Sequence, residues 1–308
     1  MNQQYVLDQS RLFRLQSKAR LAELLRVELK DIRHLLANGD SNYDVFTKAQ
    51  DNGKPRIIES PKPELKELHQ RLQLLFSRIK TPDYLHSGIK GRSYITNAAA
   101  HVGGRWGAKT DIAKFYPSTT HRQVYVGLMR EFKCSGDVSK MLADLCTYDG
   151  HIPTGSPISM SLAFYSHKQT FDQIYLAMLK RGISMTVYVD DLTLSGAFRM
   201  GLPLALLKKA ISSIGLSCHK TNRFSFDRPI VITGVVVAEG TLRLPNKRHL
   251  KIADNLRLMS DESDLDQRRI LAPRLLGQIN EAASVDERFS RRSQNLRNLV
   301  SRLTQPVE

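Results

Sequence analysis

The sequence predicts an α+β fold, and three observations carry that expectation. Strand-like and helix-like stretches interleave without regular βαβ alternation. The stretch "ISMTVYVDDLTLSG" (183–196) alternates Ile183, Met185, Val187 and Val189 on one face, a period of two. Before residue 39 and beyond residue 246, leucine and isoleucine recur instead at helical spacing. With 308 residues, 41% hydrophobic and 25% charged, the chain is long enough for two or three lobes around a real core.

Taken in order, residues 8–38 predict helix, with Leu21, Leu24, Leu25, Leu29, Ile32, Leu35 and Leu36 in register and Asn38-Gly39 as the stop. "TKAQDNGKPRIIESP" (47–61) predicts a hairpin turning at Asn52-Gly53. "PELKELHQRLQLLFSRIK" (63–80) predicts an amphipathic helix with Pro63 in its first turn. "RWGAKTDIAKFYPS" (105–118) predicts a strand running into a turn at Pro117-Ser118. A helix-rich stretch then reaches Tyr148, followed by the loop "DGHIPTGSPIS" (149–159) and a helix to about Arg181. After the 183–189 strand, Leu192 and Leu194 begin its return. A helix over 202–214 is capped by Gly215. "PIVITGVVVAEGTLRL" (229–244) predicts two short strands around Glu239-Gly240, and Leu271, Leu275 and Ile279 mark helix beyond 246.

Lys and Arg number 46 against 30 Asp and Glu, a net charge of +16. Residues 48–133 alone carry 16 basic and 7 acidic side chains, more than half of that excess. So lopsided a balance points to nucleic acid or an anionic membrane surface as partner, with a basic face drawn mainly from the first half. No apolar run approaches the ~18 residues of a spanning helix. "MNQQYVLDQSRLFRL" lacks the apolar core of a signal peptide. Cys134, Cys146 and Cys218 form neither a disulfide framework nor a zinc pattern, which fits a reducing cytoplasm.

The chemistry centres on Asp190 and Asp191. Two adjacent carboxylates at the tip of an apolar hairpin repel each other unless a cation neutralises them, and Mg²⁺ suits hard oxygen ligands. A two-metal phosphoryl-transfer site also needs a carboxylate from another strand end. Asp111, closing the strand in "KTDIAKFYPS", supplies one. A strand-end Asp alone is more often a turn former or helix cap; the downstream hairpin tips the balance.

"DIAKFYPS", "PTGSPIS", "YVDD" and "GLSCHK" resemble, in order and spacing, the palm motifs of reverse transcriptases, and "GKPRIIESPKPELKELHQRL" resembles their fingers motif. The resemblance runs from about residue 50 to 244. It implies a right-hand polymerase with a mixed-sheet palm and a helical C-terminal thumb. The divisions would be an N-terminal helical segment (1–47), fingers (48–104), palm (105–240, with part of the fingers inserted at about 119–150) and thumb (241–308). It also implies that Asp111, Asp190 and Asp191 hold two Mg²⁺ ions, and that Tyr116 is the gate excluding a ribonucleotide 2′-OH. Lys54 and Arg56 would meet the triphosphate, and Lys220 matches the lysine downstream of the hairpin. Thr154 stands where many relatives have Gln and, with Gly155, is a candidate nucleotide contact.

"NAAAH" (97–101) resembles the Asn-Ala-x-x-His element of bacterial retron reverse transcriptases, and "VITGVVV" (231–237) resembles their Val-Thr-Gly signature, with Ile232 in place of Val. Asn97 and His101, four apart, would share one helix face. With Thr233, Gly234 and the basic Lys247, Arg248 and Lys251 they are candidate RNA-binding residues. Membership would imply a cognate noncoding RNA serving as template and 2′-OH primer, dNTPs as substrates and a branched multicopy single-stranded DNA product. Host RNase H would trim the template, and a nearby effector protein would join in antiphage defence. A group II intron-like reverse transcriptase, a noncatalytic RNA-binding scaffold and another two-metal enzyme, such as a nuclease, remain the alternatives.

Overall fold

A computed structural model describes residues 4–49, 53, 55–262 and 264–304. The helix expected over 8–38 is broken. A 3-10 turn at Leu7–Gln9 is followed by α1 (Lys18–Leu25) and α2 (Leu29–Asn38). Ser17 caps α1 by accepting from the Arg20 N–H, and Arg26 ends it in the left-handed region at φ +63°. Asp31 then accepts from the Glu28 N–H and restarts the chain as a second helix. Capping at both ends outweighs the continuous leucine spacing.

β1 (Tyr43–Ala49) and β2 (Pro55–Pro61) form an antiparallel hairpin from Tyr43↔Pro61 to Ala49↔Pro55. Gly53, at φ +74°, lies in its tip. α3 (Pro63–Phe76) starts on Pro63, whose missing N–H costs nothing at a helix start. α4 (Tyr94–Ala99) opens on Ser93, whose hydroxyl accepts from the Ile95 N–H.

The central sheet has the order β4-β5-β3-β6, built from β3 (Trp106–Ile112), β4 (Ser184–Tyr188), β5 (Asp191–Gly196) and β6 (Cys218–Ser225), all antiparallel neighbours. Between β3 and β4 come α5 (Phe115–Ser118), α6 (His121–Phe132), α7 (Gly136–Cys146) and α8 (Ser159–Leu179); α9 (Gly201–Ser213) precedes β6. The turn expected at Pro117-Ser118 is thus one turn of helix. Ala108, Ile112, Met185, Val187, Leu192 and Leu194 are buried in one core with Val124, Leu128, Leu162 and Phe171 from the helices.

Residues 229–244 form three strands, not two: β7 (Ile230–Ile232), β8 (Val235–Ala238) and β9 (Thr241–Arg243). Thr233 (φ +44°) and Gly234 (φ +84°) both adopt positive φ between the paired Ile232 and Val235, the signature of a type I′ hairpin turn. Gly in an apolar run marked a turn rather than a strand interior. Beyond it, α10 (Asn246–Asp261), α11 (Leu265–Val285) and α12 (Ser290–Thr304) enclose a second core of Ile252, Met259, Leu275, Ile279 and Phe289. No helix among the described residues is long and apolar enough to cross a membrane.

Candidate active site

The sheet register brings the carboxylates together. Asp111, next to last on β3, lies directly opposite Asp191 at the start of β5, and the Ile112 N–H donates to the Asp190 carbonyl at 2.8 Å. Residues 80 apart in sequence thereby face each other across one ladder. Val189 and Asp190 form the two-residue turn joining Tyr188 to Asp191. Val189 sits at φ +59°, which a β-branched side chain rarely accepts. Its N–H donates to the buried Ser87 hydroxyl at 2.9 Å. Just before Ser87, Leu85 bridges to Val187, and the His86 N–H donates to the Val187 carbonyl at 2.9 Å. Segment 84–87 therefore clamps the strained tip from the outer edge of β4. Nothing in the sequence marked Ser87 beyond its place before a glycine.

Electrostatics divide the three acids. Burial pushes the Asp191 carboxyl up to about 7, helped by its hydrogen bond to Asp111 and by the charges of Asp111 and Asp190. Burial also works to raise Asp111, but the hydrogen bonds from Asp191 and Lys220 prevail and hold it below the usual range. The Lys220 ammonium lies 3.1 Å from Asp111 Oδ2. Asp190 is raised, chiefly by burial. Burial and mutual repulsion thus favour the Asp111–Asp191 pair taking up one proton between them as pH falls toward neutrality. Among the described residues no three carboxylate, imidazole or thiol groups close into a metal cage. Still, three half-buried hard-oxygen groups share a proton and a lysine where like charges converge, and that donor set fits a divalent cation.

Tyr116 is half-buried beside this group. Burial, then the charge of Asp190, pushes its hydroxyl up to about 12, and the charge of Arg56 opposes them. Phe115 points into the core instead, against Phe171 and His167. Of the two aromatics, Tyr116 is the one beside the acids. Arg56 lies on β2 opposite Lys48, whereas Lys54 lies outside the described residues.

The "PTG" loop departs from expectation. Thr154 donates its hydroxyl to the Ile57 carbonyl at 2.9 Å and accepts from the Glu59 N–H at 3.2 Å. The Gly155 N–H donates to the Glu59 carbonyl at 3.0 Å, and a Cβ on Gly155 would lie 2.7 Å from that oxygen. The close approach made by Gly155 is therefore to β2, and the Thr154 hydroxyl is occupied in holding that strand. The buried Glu59 carboxylate completes the fastening, bonded to His151 at 3.1 Å and to the Thr154 N–H at 3.0 Å. Glu59 was missed in the sequence, where it reads as one more charge on an exposed hairpin.

The retron-like strings also need correction as RNA contacts. Asn97 and His101 are 1% and 0% exposed, so neither side chain reaches a surface. His101 bridges Ser195 on β5 (2.7 Å) and Thr186 on β4 (2.8 Å). Asn97 Nδ2 donates to the Thr233 hydroxyl at 3.2 Å, which donates to the Tyr94 carbonyl at 2.9 Å. The two strings meet each other across 136 residues, locking α4 to the β7–β8 turn. Gly234 supplies the positive φ of that turn. Arg248 is likewise engaged, stacked 5.1 Å over the Tyr94 ring and paired with Glu281 at 2.5 Å. Lys247 and Lys251, by contrast, are exposed on α10.

No family model matches the chain. It is similar to the retron Se72 reverse transcriptase of Salmonella heidelberg, 30% identical over 177 residues, which cover 57% of this chain and 47% of that protein. The retron Ec86 reverse transcriptase of Escherichia coli is 28% identical over 178 residues, 57% and 55% of the two chains. The retron Mx162 reverse transcriptase of Myxococcus xanthus is 31% identical over 205 residues, 59% and 42%. The chain thus spans about half the length of the curated relatives it matches. Among solved structures, a foamy viral protease-reverse transcriptase in complex with double-stranded DNA aligns with TM-score 0.50 and 16% identity, covering 84% of this chain and 39% of that one. The α+β architecture matches that of a solved reverse transcriptase, and over half its length the sequence is similar to retron reverse transcriptases.

Proposed function

We propose that the chain is an RNA-directed DNA polymerase of the retron kind. The observation that carries this reading is the convergence of Asp111, Asp190 and Asp191 at one hairpin tip, with Tyr116 beside them. Asp111, Asp190 and Asp191 would hold two Mg²⁺ ions, which supply Lewis-acid activation of the attacking hydroxyl and charge neutralisation on the departing pyrophosphate. The raised Asp191 acid gives up its proton as these carboxylates become ligands. Lys220, exposed next to Asp111, is free to move from that carboxylate to nucleotide phosphate. Arg56, with Lys54, clamps the triphosphate from the hairpin at residues 48–61. Tyr116 stands beside the sugar and discriminates against a 2′-OH by volume. Residues 48–104 serve as fingers, 105–240 as palm and 241–308 as thumb.

The retron reading carries further expectations. The template is a cognate structured RNA, priming is from an internal 2′-OH, and the product is branched multicopy single-stranded DNA. RNase H trims the RNA, and a neighbouring effector completes an antiphage system in the cytoplasm. Expression with the flanking locus tests this directly. Branched DNA should appear with the wild type and vanish with Asp190→Ala or Asp191→Ala; its absence from the wild type overturns the reading. Tyr116→Ala should raise ribonucleotide incorporation by about tenfold or more, since steric exclusion of one hydroxyl is worth at least about 1.4 kcal/mol.

A further inference from the structure

The end of the central sheet farthest from the carboxylates carries a second concave feature. A cavity of about 550 Å³ is lined by Trp106, Arg199, Arg223, Phe224, Ser225 and Arg228 among others, and no carboxylate lines it. Arg199 stacks 5.1 Å over the Trp106 indole. Arg223 lies on β6 opposite Ala108, and Arg228 follows in the loop to β7. All three arginines are exposed, and none pairs with a carboxylate among the described residues. Phe198, beside Arg199, is also exposed.

Position separates this cavity from the three carboxylates. Trp106 precedes Asp111 by five residues on β3, roughly 17 Å along an extended strand. Trp106 shares its face with Ala108 and Ile112, whereas Gly107 and Phe224, which also line the cavity, lie on the Asp111 face. Distance along β3 is what sets the two places apart. A nucleotide held at Asp111 cannot also fill this cavity.

Three guanidinium groups without a counter-charge repel one another and call for an anion. Their planar forks match phosphate oxygens, and the Trp106 indole offers an aromatic surface for a base. The volume lies within the roughly 300–1,000 Å³ of small-ligand sites, enough for one nucleotide. We infer that this cavity is a second nucleic-acid site, holding backbone phosphates and one unpaired nucleotide of a structured RNA whose template portion lies in the cleft. The inference rests on the polymerase reading above.

The test uses the full chain with poly(rA)/oligo(dT) filling the cleft and a labelled short RNA stem-loop as probe. The triple variant Arg199→Gln/Arg223→Gln/Arg228→Gln should bind the stem-loop about tenfold or more weakly. Its log–log salt slope should fall by about 2 to 3, because three phosphate contacts are lost. Incorporation of dT on poly(rA)/oligo(dT) should stay within about twofold of wild type, which also shows that the variant is folded. Unchanged stem-loop affinity and slope would overturn the inference. So would unchanged stem-loop binding with loss of an acidic protein partner. A wild type that binds the stem-loop through these arginines but never extends oligo(dT) would sink the polymerase reading instead, so the two failures are distinct.

Discussion

At the scale of single residues, a proton held between Asp111 and Asp191 would compete with the metal proposed for this site. Because Asp191 is raised to about 7, its proton must leave before a cation binds. Below that pH, Mg²⁺ affinity should therefore fall by about tenfold per unit, and above it the affinity should level off. Calorimetric titration of Mg²⁺ at several pH values checks this; a flat profile would mean that the pair carries no proton. The turn beside it offers a second handle. Ser87→Ala leaves the Val189 N–H without its acceptor and should cost about 1–3 kcal/mol in denaturant unfolding. Val189→Gly relieves a backbone that valine tolerates poorly at φ +59°. It should leave stability unchanged or raise it by about 1 kcal/mol, the reverse of a glycine placed inside a strand.

At the scale of elements, legibility followed sequence distance. The hairpin at 183–196 could be read from alternation because both strands are adjacent in the chain, and α3 from its amphipathic spacing. The pairing of β3 with β5, and of α4 with the Thr233-Gly234 turn, depends on contacts that no local pattern encodes. The spacing of Asn97 and His101 suggested one helix face, but α4 ends at Ala99, so His101 lies beyond the helix and meets Thr186 and Ser195 while Asn97 meets Thr233. Three-stranded β7-β8-β9 was read as two strands because β-branched residues flank Thr233-Gly234 on both sides. The same contacts set two expected outcomes. Gly155→Ala drives a Cβ to 2.7 Å from the Glu59 carbonyl, so the β1–β2 hairpin must shift. With Arg56 displaced, KM for dNTP should rise several-fold in steady-state kinetics while binding of template-primer is unchanged. Ile232→Ala empties a fully buried position between α4 and β8 and should cost about 2–4 kcal/mol of unfolding free energy.

For the whole molecule, acid is the point of weakness. Burial lowers His69 to about 4, His101 to about 3 and His167 to about 4, so all three are neutral when folded. Each binds a proton in the unfolded chain below about pH 6.5. The unfolded state then holds more protons, so stability falls as pH drops through that value, by up to about 1.4 kcal/mol per unit for each histidine. Asp191, raised to about 7, takes up a proton in the folded state over the same window and offsets one of the three histidines. Denaturant midpoints between pH 7 and 5 should still decline, and a plateau there would contradict three buried neutral histidines. The joint that Asn97, Thr233 and Tyr94 make also decides how the protein can be recombined with its relatives. A graft cut between β6 and β7 pairs the α4 of one parent with the hairpin of the other. Transplanting α4 together with everything after Ile230 keeps the joint within one parent, so the portable cassette is discontinuous in sequence.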